Sequence, residues 1–271
     1  MQKLKRCKGS FYDVTSVRRL YVLLCGYEFV PKPISTRGRG DRFILSLPIC
    51  AYLLDTAQGW ILLDTGVDTE RLRDPARLQR HFTDCGMMAP VVRESHDLAR
   101  QFAEIGIGYS DVKHVIISHL HLDHTGHLRH FAHAPIHLQQ AEHAHGFSAA
   151  AGWAYFKDDY TDPKLDWRLK DGDWEACPGL TLLHTRGHTE GHQSAVVELS
   201  CAGTIVLPFD AGDLQENFDD EVPPGECCDE TAALASIRRL KQIARERQGQ
   251  MILLHDPVAI QRIRLAPAWY E

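Results

Sequence analysis

Long apolar runs, paired-cysteine spacings, basic clusters and a serine nucleophile elbow are all missing from this sequence, and each absence removes a class of function. The longest apolar stretches, residues 43–54 and 204–209, fall well short of the roughly 20 residues that span a bilayer, so no membrane helix is expected. Met1 to Lys8 is basic, but the apolar stretch Leu20 to Cys25 is too short for the core of a signal peptide, which points to a cytoplasmic protein. Eight cysteines (Cys7, Cys25, Cys50, Cys85, Cys177, Cys201, Cys227 and Cys228) are scattered without a CxxC pair and read as reduced thiols. With 30 Lys and Arg against 36 Asp and Glu, the chain has a formal charge of −6 and makes a poor nucleic-acid binder. Its clearest basic patch, Arg37, Arg39 and Arg42, reads as loop decoration. No Gly-x-Ser-x-Gly turn is present, so a serine hydrolase of that design is excluded. What remains, 271 residues of which 44% are hydrophobic and 24% charged, is ample for a packed core, and with no linker in view it reads as one domain, 1–271.

Mixed sheets and helices are expected throughout. Arg19 to Cys25, Arg42 to Asp55 and Trp60 to Asp64 read as a β-meander with a turn at Ala57-Gln58-Gly59. Helical spacing follows in Thr69 to Arg80 and in Ser95 to Ile105, the latter opening on a Ser cap. Then come a strand at His114 to Ser118, a helix near Gly126, a strand at Ile136 to Gln139 and a helix near Glu142. The second half supplies strands at Leu180 to His184, Gln193 to Ser200, Thr204 to Phe209 and Met251 to Leu254, with an amphipathic helix over Thr231 to Arg247 packed on the sheet. Two β-sheets flanked by helices, with chemistry at strand ends, follow from that order.

What the sequence has in excess is histidine. Ten of its 16 histidines fall between His114 and His145, and within that run stands His119-Leu120-His121-Leu122-Asp123-His124. The apolar strand Val115 to Ile117 leads straight into it, so four ligand-type residues in six begin where a buried strand emerges. Residues i and i+2 of extended chain share a face, which lets His119 and His121 converge on one ion while the following turn sends Asp123 and His124 to a neighbouring position. Imidazole and carboxylate suit zinc, with iron, cobalt or manganese as less exclusive fits. Later strand ends add His188, in a glycine-bearing turn, Asp210 and His255. His130, His133, His143 and His145 read as solvated surface.

These residues resemble the metallo-β-lactamase superfamily and, within it, the quorum-quenching N-acyl homoserine lactone lactonases, from about Leu47 to His255. Leu63-Asp64-Thr65-Gly66 and the motif at 119–124 carry the superfamily resemblance. Gly187-His188-Thr189-Glu190-Gly191-His192-Gln193-Ser194, Asp210-Ala211, Glu216-Asn217-Phe218 and His255-Asp256 carry the resemblance to the lactonases. The resemblance implies an αββα sandwich of two mixed sheets flanked by helices. It implies two divalent metal ions, one held by His119, His121 and His188, the other by Asp123, His124 and His255, with Asp210 bridging. Asp64 and His192 would stand behind the ligands as hydrogen-bonding supports. The implied reaction is hydrolysis of a carboxylic ester, the ring of a small-molecule lactone, by a hydroxide between the metals, with Asp123 delivering a proton to the leaving oxygen.

The sequence departs from the lactonase pattern at several places. Asp-Ala-x-Tyr reads Asp210-Ala211-Gly212-Asp213, so the lactonases' tyrosine is an aspartate; turned inward, Asp213 would weaken polarisation of a carbonyl. Alternatively it faces solvent, or the register slips and Gly212-Asp213 imitates the Gly-Asp of glyoxalase II-type thioesterases. Asp210 is favoured as the bridge because its strand ends there. Leu122 replaces a phenylalanine and His127 a glycine, both expected at the substrate mouth, and Leu254 stands where a glycine precedes His255. Met87, Met88, Trp153, Tyr155 and Phe156 are candidates to receive an acyl tail. Other readings of the same residues are a glyoxalase II-like thioesterase, a hydrolase of another lactone or ester, and a ligand-binding relative without turnover. Oligomeric state is not encoded legibly; residues before Tyr21 could cover the interface of a homodimer.

Overall fold

The computed structural model describes residues 15–271. Six strands form one mixed sheet in the order β1 (Val17–Pro31), β2 (Ile44–Thr56), β3 (Gly59–Leu63), β4 (Val112–Ile116), β5 (Pro135–Gln139), β6 (Asp166–Lys170), antiparallel from β1 to β3 and parallel thereafter. Five strands form the second: β7 (Trp174–Cys177), β8 (Leu180–His184), β9 (Gln193–Leu199) and β10 (Gly203–Leu207) are antiparallel neighbours, and β11 (Gln250–Met251) pairs parallel with β10.

Strand alternation builds the layers. Leu20, Val22, Cys50, Tyr52 and Leu54 face Leu180, Leu182, Ala195, Val197 and Ile205 between the sheets. The intervening residues Tyr21, Leu23, Ala51 and Leu53 point the other way, onto Leu98, Phe102, Phe131 and Phe156 of the outer helical layer. On the far side, Leu183, Val196 and Val206 receive Ile237 and Leu240 of the helix Glu230–Glu246. Each such aliphatic side chain withdrawn from water contributes about 1.5–3 kcal/mol, and the result is the expected αββα sandwich. No helix among the described residues is long and apolar enough to cross a membrane.

Boundaries differ from the sequence reading where local chemistry intervenes. Pro75 starts its helix, Pro75–His81, so the span expected from Thr69 becomes a short 3₁₀ turn, a capping Asp74 and that helix. The next helix is Leu98–Ile105, capped by the Asp97 carboxylate on Arg100 N rather than by Ser95. Strands β6 and β7 and the short helices Lys32–Ser35, Lys157–Tyr160 and Gln215–Asp219 lack strong periodicity and were not foreseen. The last strand is only Gln250–Met251. Cys201 is disulfide-bonded, which corrects the expectation of thiols throughout; Cys25, Cys50, Cys85, Cys177, Cys227 and Cys228 are free. Cys7 and the basic segment 1–8 lie outside the described residues, as does most of the stretch before Tyr21 that could cover a homodimer interface; its last residues, Val17–Leu20, belong to β1.

The outer helices beside the site are joined by a buried ion pair: Arg77 Nη2 and Arg71 Nη1 each donate to Asp159 Oδ1 at 2.6 Å. Removing one member leaves a buried charge uncompensated, so Asp159→Ala should destabilise the fold by about 3–5 kcal/mol in denaturant titration, and a loss below 1 kcal/mol would show the pair to be dispensable.

Candidate metal centre

The ligand-type residues arrive at the same edge of the sandwich from different strands. β4 runs out at Ile116, and His119, His121, Asp123 and His124 follow in the loop and the short helix Leu122–Thr125. His188 lies in the β8–β9 connection, Asp210 in a 3₁₀ turn, Phe209–Ala211, after β10, and His255 beyond β11. Three overlapping groups of buried residues have ligand atoms no more than 4.8 Å apart; two carry the seven expected ligands, His119 with His121 and His188, and Asp123 with His124, Asp210 and His255, and the third sets His192 beside His119 and Asp210. Asp210 faces both ligand groups. Its Oδ2 is 3.7 Å from His119 Nε2, 3.5 Å from His188 Nε2 and 3.4 Å from His255 Nε2, and its Oδ1 is 3.4 Å from His124 Nε2. Asp123 Oδ2 lies 3.1 Å from His124 Nε2 and 3.4 Å from His255 Nε2.

The outward nitrogens of these rings are already used. His188 Nδ1 donates to the Glu226 carbonyl at 2.8 Å and His255 Nδ1 to the Pro48 carbonyl at 2.9 Å. His124 Nδ1 donates to Asp64 Oδ2 at 2.7 Å, and His119 Nδ1 to Ser118 Oγ at 3.0 Å, which in turn donates to Asp64 Oδ2 at 2.8 Å. With Nδ1 donating outward, each Nε2 is directed inward, where the neutral ring offers its lone pair. His121 is turned the other way, its Nδ1 lying 3.0 Å from His188 Nε2. Buried polar atoms are almost always paired, yet His119 Nε2, His124 Nε2 and Asp210 Oδ1 have no hydrogen-bond partner. Convergent, unpaired nitrogen and carboxylate donors of this kind fit a pair of divalent cations.

Electrostatics carry the same imprint. Burial, with the neighbouring imidazoles, holds His119 and His121 well below the usual histidine range. Burial also opposes charge on His255, but Asp210, Asp213 and Glu28 outweigh it and push this ring up to about 10. At His124 the same contest is won by Asp123, Asp210 and Asp64, which raise it well above its ordinary value. At both rings the surrounding carboxylates favour positive charge.

Around the ligands, the motifs that go beyond metal binding turn out to be clamps. Gln193 Nε2 donates to the Ile117 carbonyl at 2.8 Å and its Oε1 accepts from Trp174 Nε1 and Gln139 Nε2, tying the two sheets at the end of β4. Ser194 Oγ donates to the Pro208 carbonyl, two residues before Asp210. Asn217 holds Leu214 N, the Ser35 carbonyl and the Val222 carbonyl, while Glu216 pairs with Lys32 and Arg39. His192 is satisfied on both sides, donating from Nδ1 to the Thr185 carbonyl and accepting at Nε2 from Asp210 N. Asp64 sits at φ 59° and Phe209 at φ 50°, a left-handed backbone that costs non-glycine residues; Ser118 N, Ser118 Oγ and His124 over-determine Asp64. Gly191 could be no other residue without movement, since a Cβ there would meet Glu142 N at 2.2 Å.

A cavity of about 50 Å³ opens on the ligands, lined by Glu28, Val30, Ile34, Leu47, Leu122, Trp153, Ala154, Asp213 and Glu226 besides the ligands themselves. Asp213 is inward and buried but belongs to neither ligand group; burial pushes it up to about 6 against the pull of His255. Trp153, 43% exposed, stands at the rim. Met87 packs against Val30, Leu47 and Leu214, and Met88 is exposed. Tyr155 stacks edge-on against His121 and donates to Glu142 Oε1. Of the expected pocket residues, then, Leu122, Asp213 and Trp153 line the cavity; Met87, Met88 and Tyr155 do not, and two others are turned into the fold. His127 is buried against Tyr109, within 3.2 Å of its hydroxyl, because its backbone N–H is drawn back to Thr65 Oγ1. Phe156 is buried in the helical layer between Phe82, His81 and Arg77.

Three acidic residues escaped the sequence reading. Glu142, fully buried, receives Leu120 N, Tyr155 Oη, Thr189 Oγ1 and Gly191 N, and so joins both ligand loops. Nothing in a histidine-rich helix signals that. Glu226 is unmarked in sequence beside Cys227. Glu28 did leave a trace, a charge in the otherwise apolar Tyr27 to Val30; burial and Asp123 push it up to about 8.

Residues 47–207 match the model of the metallo-beta-lactamase superfamily. An N-acyl homoserine lactonase from Bacillus sp is 35% identical, with 89% of this chain and 94% of that protein covered. The N-acyl homoserine lactonase AiiA of Bacillus thuringiensis subsp. kurstaki is 31% identical, with 94% and 99% covered. A solved N-acyl homoserine lactone hydrolase with the product N-hexanoyl-L-homoserine bound at its catalytic metal centre superposes with a TM-score of 0.85 at 30% identity, with 94% of this chain and 100% of that chain covered. With the ligand geometry and the sandwich in place, these matches establish that the chain belongs to the metallo-β-lactamase superfamily and stands within it beside the N-acyl homoserine lactonases.

Proposed function

We propose that the chain acts as one domain that hydrolyses the ring ester of N-acyl-L-homoserine lactones, as in quorum quenching. The observation that carries this reading is the convergence of seven buried ligand-type side chains, with inward donors left unpaired, in a chain whose relatives are lactonases. His119, His121 and His188 are assigned to one divalent ion, Asp123, His124 and His255 to the other, and Asp210 to both. Zinc suits this mixture of imidazole and carboxylate best. Bound there, the ions supply a water acidic enough to attack near neutral pH and a Lewis acid for the lactone carbonyl.

The chain's own residues do the rest. Asp123 lies at the cavity, between His124 and His255, where its Oδ2 takes the proton lost by the attacking water and returns it to the ring oxygen as that leaves. Asp64 and Ser118 keep the imidazoles of His124 and His119 in the tautomer that points Nε2 inward. The cavity wall carries Glu28, Asp123, Asp210, Asp213 and Glu226 and no Lys or Arg among its described residues. Such a wall offers no Lys or Arg to pair with the carboxylates of an acyl-glutathione, whereas an uncharged lactone needs none. Location in the cytoplasm belongs to the same reading.

Metal-loaded protein should open N-acyl homoserine lactones and leave acyl-glutathione untouched; the reverse preference would replace this reading with a thioesterase. Asp123→Ala and His255→Ala should each lower kcat/KM for a lactone by at least about a hundredfold, with metal content measured alongside; wild-type turnover in either would remove that residue from the site. Since the surrounding carboxylates favour the charged forms of His124 and His255 in the ion-free protein and both rings must be neutral as ligands, loading should release protons and weaken as pH falls. Calorimetric titration with zinc in buffers of differing ionisation enthalpy reads this release, and a binding heat independent of buffer would contradict the assignment.

A further inference from the structure

Three carboxyls in the cavity, Glu28, Asp213 and Glu226, have no task in this mechanism, and Glu28 is the one carried by β1. Glu28 lies on β1, on the same strand face as Val30, and both line the cavity. Val30, Ile34 and Leu47 line the same cavity, with Leu214, Leu45 and Met87 packed behind, while Asp123, Asp210, Asp213 and His255 share it as the charged groups that act on Glu28. No group among the described residues hydrogen-bonds its carboxyl. The nearest partner of opposite character is His255 Nδ1 at 3.9 Å, whose proton already goes to the Pro48 carbonyl at 2.9 Å. The side chain keeps 21% of its surface open, toward the cavity. A carboxyl withdrawn from most of its water and given no donor is unfavourable, and the cost is offset when a bound molecule brings one.

We propose that Glu28 is a specificity-determining residue, accepting a hydrogen bond from an O–H or N–H group on the acyl side of the lactone. The proposal rests on the lactonase reading above and narrows its substrate class: uncharged lactones whose substituent carries a donor close to the ring, followed by an apolar portion that Val30, Ile34 and Leu47 can cover. A carboxyl oxygen accepts such a bond whether the group is ionised or neutral, so the preference does not depend on its protonation. The donor has two possible sources, the amide N–H next to the ring or a hydroxyl farther along the chain, and the two are separable by synthesis.

The test compares kcat/KM for three lactones of equal length on the zinc-loaded full chain: an α-alkyl-γ-butyrolactone with no donor, an N-acyl homoserine lactone with an unsubstituted chain, and the same compound bearing a chain hydroxyl. Wild type, Glu28→Leu and Glu28→Gln are each measured, and ratios between substrates within one preparation cancel any difference in the folded, metal-loaded fraction. Wild type should prefer a donor-bearing lactone over its donor-free counterpart by about tenfold or more, because a site built to pair with a substrate donor rejects the analogue lacking it. Glu28→Leu should lose that preference, and Glu28→Gln, whose amide oxygen still accepts, should retain it. A preference lost between the first two compounds assigns the amide N–H, and one lost between the last two assigns the hydroxyl. Equal ratios in all three proteins overturn the proposal and leave lactone hydrolysis standing. Failure of wild type to open any of the three overturns the lactonase reading, and the proposal with it.

Discussion

Lone pairs of five imidazoles and two carboxylates aimed at one buried volume are the constraint on which the rest of the structure depends. Without cations such a cluster is unfavourable, since each donor is desolvated and several repel one another. The chain holds it together from outside, by giving the outer nitrogens of His119, His124, His188 and His255 fixed partners: Ser118 Oγ, the Asp64 carboxylate, and the carbonyls of Glu226 and Pro48. The inward direction of the lone pairs is thus a consequence of bonds made on the far side of each ring. That arrangement prepares the site for metal before any metal arrives, and binding energy is not spent on orienting side chains.

The sandwich supplies those outer partners because strand ends from both sheets meet at one edge. Gln193 spans from β9 to the end of β4, Glu142 joins the loop after β4 to the loop after β8, and Ser194 fixes the carbonyl just ahead of Asp210. Positive-φ backbone at Asp64 and Phe209 sits beside the ligands, where dense hydrogen bonding and packing hold conformations that an isolated strand would not adopt. The acidic lining adds a second consequence. Three carboxyls the ligands do not need, Glu28, Asp213 and Glu226, line the cavity together with apolar side chains and no Lys or Arg among the described residues, so the wall adds its own chemistry to that of the ligands.

Legibility in the sequence followed the range of the interactions. Two-residue alternation made most strands readable, and the helix Glu230–Glu246 was visible from its period. The 119–124 segment was readable because its ligands are near one another in the chain and follow an apolar strand. Element ends were less readable, since Pro75 and Asp97 decide them by single-residue chemistry. His127 and Phe156 were misplaced at the mouth: their types suit a pocket, but the direction of a side chain depends on backbone bonds such as His127 N to Thr65 Oγ1.

The sequence by itself determined the alternating layers, the run of ligand-type residues after β4 and the inventory of chemistry, because these are set by neighbours along the chain. Only the tertiary structure decided that Asp210 rather than Asp213 faces both ligand groups, that Asp213 nonetheless turns inward, and that Glu28, Glu142 and Glu226 join the site. Glu28 stands 227 positions before His255 in the chain and 3.9 Å from it in space. No periodicity spans such a gap, and the contact exists because β1 and the segment after β11 are brought together by the packing of two sheets.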